Sequence, residues 1–131
     1  MGGSENCICY DEQTGRVWKR NRIEVFHVSW RQFFDRLLLH NLLFPEAALR
    51  FEGVAEHANA LHGLLSQPDI RAERGAGRNE VEARMRQHGF GRRANDDYEN
   101  EVLSVEDLHA GNVLVDAAGN LLVIDPVIYP R

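Results

Sequence analysis

Apolar and polar positions divide the chain into short elements. Residues 6–10 and 15–19 are β-rich and flank Asp11-Glu12-Gln13-Thr14-Gly15, a polar run closing on glycine, which predicts an opening β-hairpin. From Ser29 the period changes. Trp30, Phe33, Phe34, Leu37 and Leu38 recur at helical spacing, with Ser29 as N-cap and Pro45 beyond the end. This predicts an amphipathic helix of about four turns whose apolar stripe is core. Residues 49–54 and 61–67 read as a second hairpin around Glu56-His57-Ala58-Asn59. The arginine- and glycine-rich stretch 71–77 has no periodicity and is expected to be a linker; residues 79–88 then read as a helix stopped by Gly89. Beyond Phe90 the pattern is extended through 98–103, and 113–115 pairs with 121–124 around the turn 116–120.

Strands gathered around one or two helices predict an α+β domain. At 131 residues, 44% hydrophobic, the chain suits a single domain with a modest core over 1–131. Its parts are 1–67, a hinge or linker at 68–77, and 78–131.

A formal net charge of −5 argues against nucleic acid or an anionic membrane as partner. No run approaches the ~18 apolar residues of a membrane span, and no basic start leads into an apolar leader, so a cytoplasmic protein is expected. Cys7 and Cys9 share a strand face, where a mutual disulfide is disfavoured, and read as small buried residues. His40 and His62 read as structural.

The chemistry concentrates at 104–126. Asp107-Leu108-His109-Ala110-Gly111-Asn112 precedes an apolar strand, a turn, a second apolar strand and Asp125. Phosphoryl transfer requires a carboxylate near the acceptor hydroxyl and oxygen ligands for magnesium, and Asp107, Asn112 and Asp125 offer both. The competing reading makes them turn and cap residues, with Asp125-Pro126 as loop punctuation.

Asp-Leu-His-x-Gly-Asn resembles the catalytic loop of the protein-kinase-like superfamily, in the variant of aminoglycoside phosphotransferases. The spacings of five positions from Asp107 to Asn112 and thirteen from Asn112 to Asp125 match as well. The resemblance implies ATP and Mg2+ as cofactors, Asp107 as catalytic base or hydroxyl-orienting group, and Asn112 and Asp125 as metal ligands. His109 would contact a phosphate or the acceptor, or brace the loop. Val105 stands where many members have histidine, and Pro126 where protein kinases have Phe-Gly.

The same resemblance asks for a lysine on the strand after the first hairpin turn. The chain has fourteen arginines and one lysine, Lys19, and it falls there. An ammonium acts on phosphates as a flexible point charge, a role arginine mimics poorly. Asp35 is the candidate partner on the following helix, with a surface pair to Arg31 or Arg36 as the equal alternative. Gly2-Gly3-Ser4 resembles the end of a phosphate loop, or is an expression remnant. Ser66-Gln67-Pro68 sits where a hinge would receive adenine, with Gln67 at its centre.

With Leu39 to Phe44, Phe51-Glu52-Gly53-Val54 and Gly89-Phe90, the chain resembles the small kinase-like domain of bacterial and phage polyvalent proteins. That implies a minimal protein-kinase-like fold: a small antiparallel β-lobe with one helix and a truncated C-terminal lobe. The activity implied is phosphoryl transfer from the nucleotide to a protein or small-molecule acceptor. The alternative is a catalytically inactive nucleotide-binding or protein-interaction module, or a fragment of a larger polypeptide. In that case a homodimer or a partner chain would complete the sheet.

Overall fold

The computed structural model describes residues 6–22 and 29–131; Gly2, Gly3 and Ser4 lie outside them. The architecture is mixed α and β, with antiparallel strands and, among the described residues, two α-helices. It divides into two units, Met1–Asn41 with Ala48–Asp69 and Leu42–Ala47 with Ile70–Arg131.

The first unit opens with β1 (Asn6–Asp11) and β2 (Arg16–Arg22). The Asp11 carboxylate closes their turn, accepting the Gln13 N–H at 3.0 Å and the Thr14 hydroxyl at 2.9 Å, while Gly15 takes φ +69°. Helix α1 (Trp30–Leu43) is capped by Ser29, whose Oγ accepts the Gln32 N–H at 3.2 Å. Strands β3 (Arg50–His57) and β4 (Ala60–Pro68) turn through Ala58 and Asn59, both left-handed, as the right-handed twist of a two-residue hairpin favours. The strand order is β1-β2-β4-β3.

Phe33 and Leu37 of α1 pack on Leu65, flanked by Trp30, Phe34 and Leu49. Gly63 admits this packing, because a Cβ there would come within 2.5 Å of the Phe33 ring. Two residues differ from expectation. Leu38 lies outside the stripe, 66% exposed, since it follows buried Leu37 by 100° around the helix. Cys9 is exposed; by register it lies with Trp18 on the face opposite to that of Lys19 and Leu65, the face on which α1 packs.

In the second unit, β5 (Arg74–Gly75) precedes helix α2 (Arg78–Gln87). The remaining strands are β6 (Gly91–Ala94), β7 (Asp97–Glu99), β8 (Leu103–Glu106), β9 (Val113–Val115), β10 (Leu121–Val123) and β11 (Val127–Pro130). They form a sheet β10-β9-β5 and another β11-β8-β7-β6.

The stretch expected to be a linker is therefore structured around β5. Glu73 N–H bonds to the Val115 carbonyl and Ala76 N–H to that of Val113, both at 2.8 Å. A two-residue edge strand held by backbone bonds needs no hydrophobic period, so the pattern carries no sign of it. The extended run beyond Phe90 is likewise a tight hairpin of β6 and β7, and β11 was not expected. Helix α2 ends as read: Gly89 is left-handed and the Phe90 N–H returns to the Met85 carbonyl at 2.9 Å. No helix among the described residues is long and apolar enough to cross a membrane.

Candidate functional site

The loop from Asp107 to Asn112 joins β8 to β9 and is fixed at both ends. Buried Val105 anchors its entry, and Leu108, 2% exposed, plants its second residue in the interior. Asp107 itself adopts φ +70°, a left-handed conformation that costs an L-residue roughly 1–2 kcal/mol and that Asp tolerates better than most. Its peptide is held on both sides. The N–H donates to Asp97 Oδ1 at 3.1 Å, and the carbonyl accepts Asn112 Nδ2 at 2.9 Å.

Asn112 Nδ2 also lies 3.2 Å from Asp107 Oδ2. Both partners are acceptors, so the amide NH2 end must face Asp107, which turns Oδ1 away from these bonds. His109 braces the loop from within. Its Nδ1 accepts the Gly111 N–H at 3.0 Å, and its Nε2 lies 3.2 Å from Asn112 Nδ2 and 3.5 Å from Asp107 Oδ1. Gly111 must be small there, since a Cβ would meet the imidazole at 2.9 Å.

Asp125 reaches the same end of the unit through two strand pairings. Val113 opposes Val123 in the β9–β10 hairpin, and the Ile124 N–H bonds to the Asn112 carbonyl at 2.9 Å, so Asp125 follows directly on the residue paired with Asn112. Beyond it, Val127 of β11 opposes Glu106 of β8, the residue before Asp107. Hydrogen-bond register thus gathers Asp107, Asn112 and Asp125 at one end of the strands, although they span nineteen positions of sequence.

The donor set suits a hard cation. Asn112 offers an amide oxygen, and the exposed Asp125 carboxylate makes no hydrogen bond or ion pair among the described residues. Among those residues no three His, Cys, Asp or Glu side chains cluster as a metal site. That is compatible with magnesium, which keeps several waters and binds through one or two protein oxygens and substrate phosphates.

In the first unit, Lys19 is 8% exposed and Gln67 4%. Register puts them on one face: Lys19 opposes Leu65 and Val17 opposes Gln67, the face against which α1 packs. Asp35 is exposed, and its carboxylate faces Arg31 at 4.0 Å, the surface pair weighed above as the alternative. Lys19 also borders an open cavity of about 390 Å3. Most of its lining, including Cys9, Trp18, Arg20 and Leu64, belongs by register to the opposite face.

The family model of serine/threonine/tyrosine kinases found in polyvalent proteins matches residues 1–131. The chain belongs to that family. No curated protein and no solved structure matches it.

Three features of this polyvalent-protein kinase domain escaped sequence reading. Asp97, with its neighbour Asp96, supports the loop from the β6–β7 turn: the Leu108 N–H bonds to the Asp96 carbonyl at 2.9 Å. The dipeptide Asn95-Asp96 before an aspartate was a readable turn signal. Gly75 lies beneath the loop, where a Cβ would come within 2.5 Å of the Ala110 carbonyl oxygen. Behind Asp97, Arg93 gathers Asp97 at 3.8 Å, Glu99 at 3.2 Å and Glu106 in a short hydrogen bond. Tyr129 donates to Glu106 at 2.5 Å, and that bond, with burial adding to it, raises the phenol's pKa.

Proposed function

We propose that this domain is an ATP- and magnesium-dependent phosphotransferase with a minimal kinase-like fold, acting in the cytoplasm on a protein or small-molecule hydroxyl. The observation that carries the reading is the Asp107–Asn112–Asp125 grouping. Asn112 is pinned through its NH2 to the Asp107 peptide, leaving its oxygen and the Asp125 carboxylate as uncommitted ligands. Family membership supports it independently.

Asp107 orients the acceptor hydroxyl and takes its proton as the acceptor oxygen bonds to the γ-phosphorus and the β–γ bridging bond breaks, releasing ADP. Asn112 and Asp125 hold magnesium, which when bound neutralises charge on the phosphates. Lys19 supplies an ammonium to the nucleotide phosphates, and Gln67 marks the strand whose backbone receives the base. His109 braces the loop through the Gly111 N–H that its Nδ1 accepts. Gly2, Gly3 and Ser4 remain the proposed phosphate loop, and Asp35 is kept as a helix carboxylate serving Lys19 only if it exchanges Arg31 for it.

The test is thermal stability with a nonhydrolysable ATP analogue. The nucleotide is expected to raise the melting point only with magnesium, and Asp125→Ala is expected to abolish the rise. An unchanged wild-type melting point counts against the reading. Slow ATP turnover lost in Asp107→Ala supports the enzyme, whereas binding with no turnover assigns an interaction module.

A further inference from the structure

The geometry points to Asp97 as a positioning residue for Asp107, with Arg93 holding Asp97 in turn. This rests on the phosphotransfer reading above for its catalytic consequence, but not for its structural content. A residue at φ +70° has no intrinsic preference for staying there. Something must hold it, and the direction of the Asp107 carboxylate depends on that backbone angle.

The holding groups lie on the β6–β7 turn. Asp97 Oδ1 accepts the Asp107 N–H at 3.1 Å, and the Asp96 carbonyl accepts the next N–H, that of Leu108, at 2.9 Å. Two successive amides at the loop entry are thus taken by two successive turn residues. The Asp107 carbonyl, in the following peptide, is taken by Asn112, so loss of the Asp97 bond releases the N–H side only. Arg93 approaches the other Asp97 oxygen, Oδ2, at 3.8 Å and is itself anchored by Glu99 and Glu106. Glu106 is the residue before Asp107. The charged network therefore grips the loop entry at both consecutive positions.

Asp97 lies outside the groups proposed to touch substrate or metal. Its effect passes through the Asp107 backbone, and a 1 Å misplacement of a reacting group costs as much as about a hundredfold in rate. The discriminating variants are Asp97→Ala, which removes the acceptor, and Asp97→Asn, which keeps an acceptor oxygen and loses the charge.

In the intact domain, amide hydrogen exchange at Asp107 is expected to speed up about tenfold in Asp97→Ala and to recover most of the way in Asp97→Asn. Turnover is expected to fall about tenfold or more in Asp97→Ala, in kcat rather than in KM for ATP, with Asp97→Asn restoring the larger part. Unchanged Asp107 exchange in Asp97→Ala overturns the proposal, as does equal loss of kcat in both variants. If the wild type shows no turnover, the phosphotransfer reading fails and the amide exchange alone decides: faster exchange at Asp107, restored by Asn, sustains the positioning role.

Discussion

Gly75→Ala tests whether the loop from Asp107 to Asn112 rests on β5. Gly75 opposes Leu114 in the sheet, and the flanking bonds from Glu73 and Ala76 to β9 clamp the strand on both sides. A Cβ would lie 2.5 Å from the Ala110 carbonyl oxygen and 2.9 Å from the Ala110 Cβ. Reaching ordinary contact requires about 1 Å of separation. With β5 clamped, that movement falls on Ala110, the residue between His109 and Gly111. Overpacking of this kind costs about 1–3 kcal/mol. It would also break the Gly111-to-His109 bond that orients the imidazole, and a displacement of this size at reacting groups lowers rate by about a hundredfold.

Urea unfolding gives the stability change, and backbone amide shifts over 108–112 show where the strain goes. Gly91→Ala is the control, since nothing lies within 4 Å of a Cβ there. If Gly75→Ala unfolds within about 0.5 kcal/mol of the wild type and leaves the Ala110 and Gly111 amides unmoved, the reasoning is refuted.

The Glu80 carboxylate is held down to about 2 by the Arg74 guanidinium, then by the Gly77 N–H. A depressed folded pKa contributes stability above the unfolded value near 4.5 and loses it as pH falls toward 2, so urea midpoints should drop across that window and Glu80→Gln should flatten the drop; parallel profiles would contradict this. Phe33→Ala removes a ring 2% exposed that packs on Gly63 and meets Trp30 edge-on at 5.7 Å, and should cost about 3–5 kcal/mol by Trp-fluorescence-monitored unfolding. A loss under about 1 kcal/mol would mean the helix does not rest on that residue. Ser66 is fully buried, donating to Glu52 at 2.5 Å and accepting from Arg16 at 2.9 Å, so Ser66→Ala should cost about 1–3 kcal/mol in the same assay, and no change would show the pair finding water instead.

Elements with their own periodicity or punctuation were legible. Ser29 and the 30/33/34/37 spacing located α1, and Gly15, Ala58-Asn59 and Gly89 marked three chain reversals. What failed to show had no local signature. β5 consists of an arginine and a glycine, and its existence depends on pairing with β9 residues 39 and 41 positions further along the sequence. β11 contains Val127, Ile128 and Tyr129, yet only its pairing with β8 makes it a strand. Leu38 shows the limit of a periodic pattern: it is exposed although its neighbour Leu37 is buried.

The site divides along the same line. Asp107, Asn112 and Asp125 could be proposed because phosphoryl transfer restricts the residue types it can use, and the spacing of a short hairpin agrees with it. Asp97 and Gly75 could not, because a backbone N–H accepts any correctly placed oxygen and a tight contact excludes any Cβ. Neither requirement leaves a motif. Yet the left-handed Asp107 cannot hold its place unaided, so the residues that shape this loop extend into the turn and the edge strand beside it.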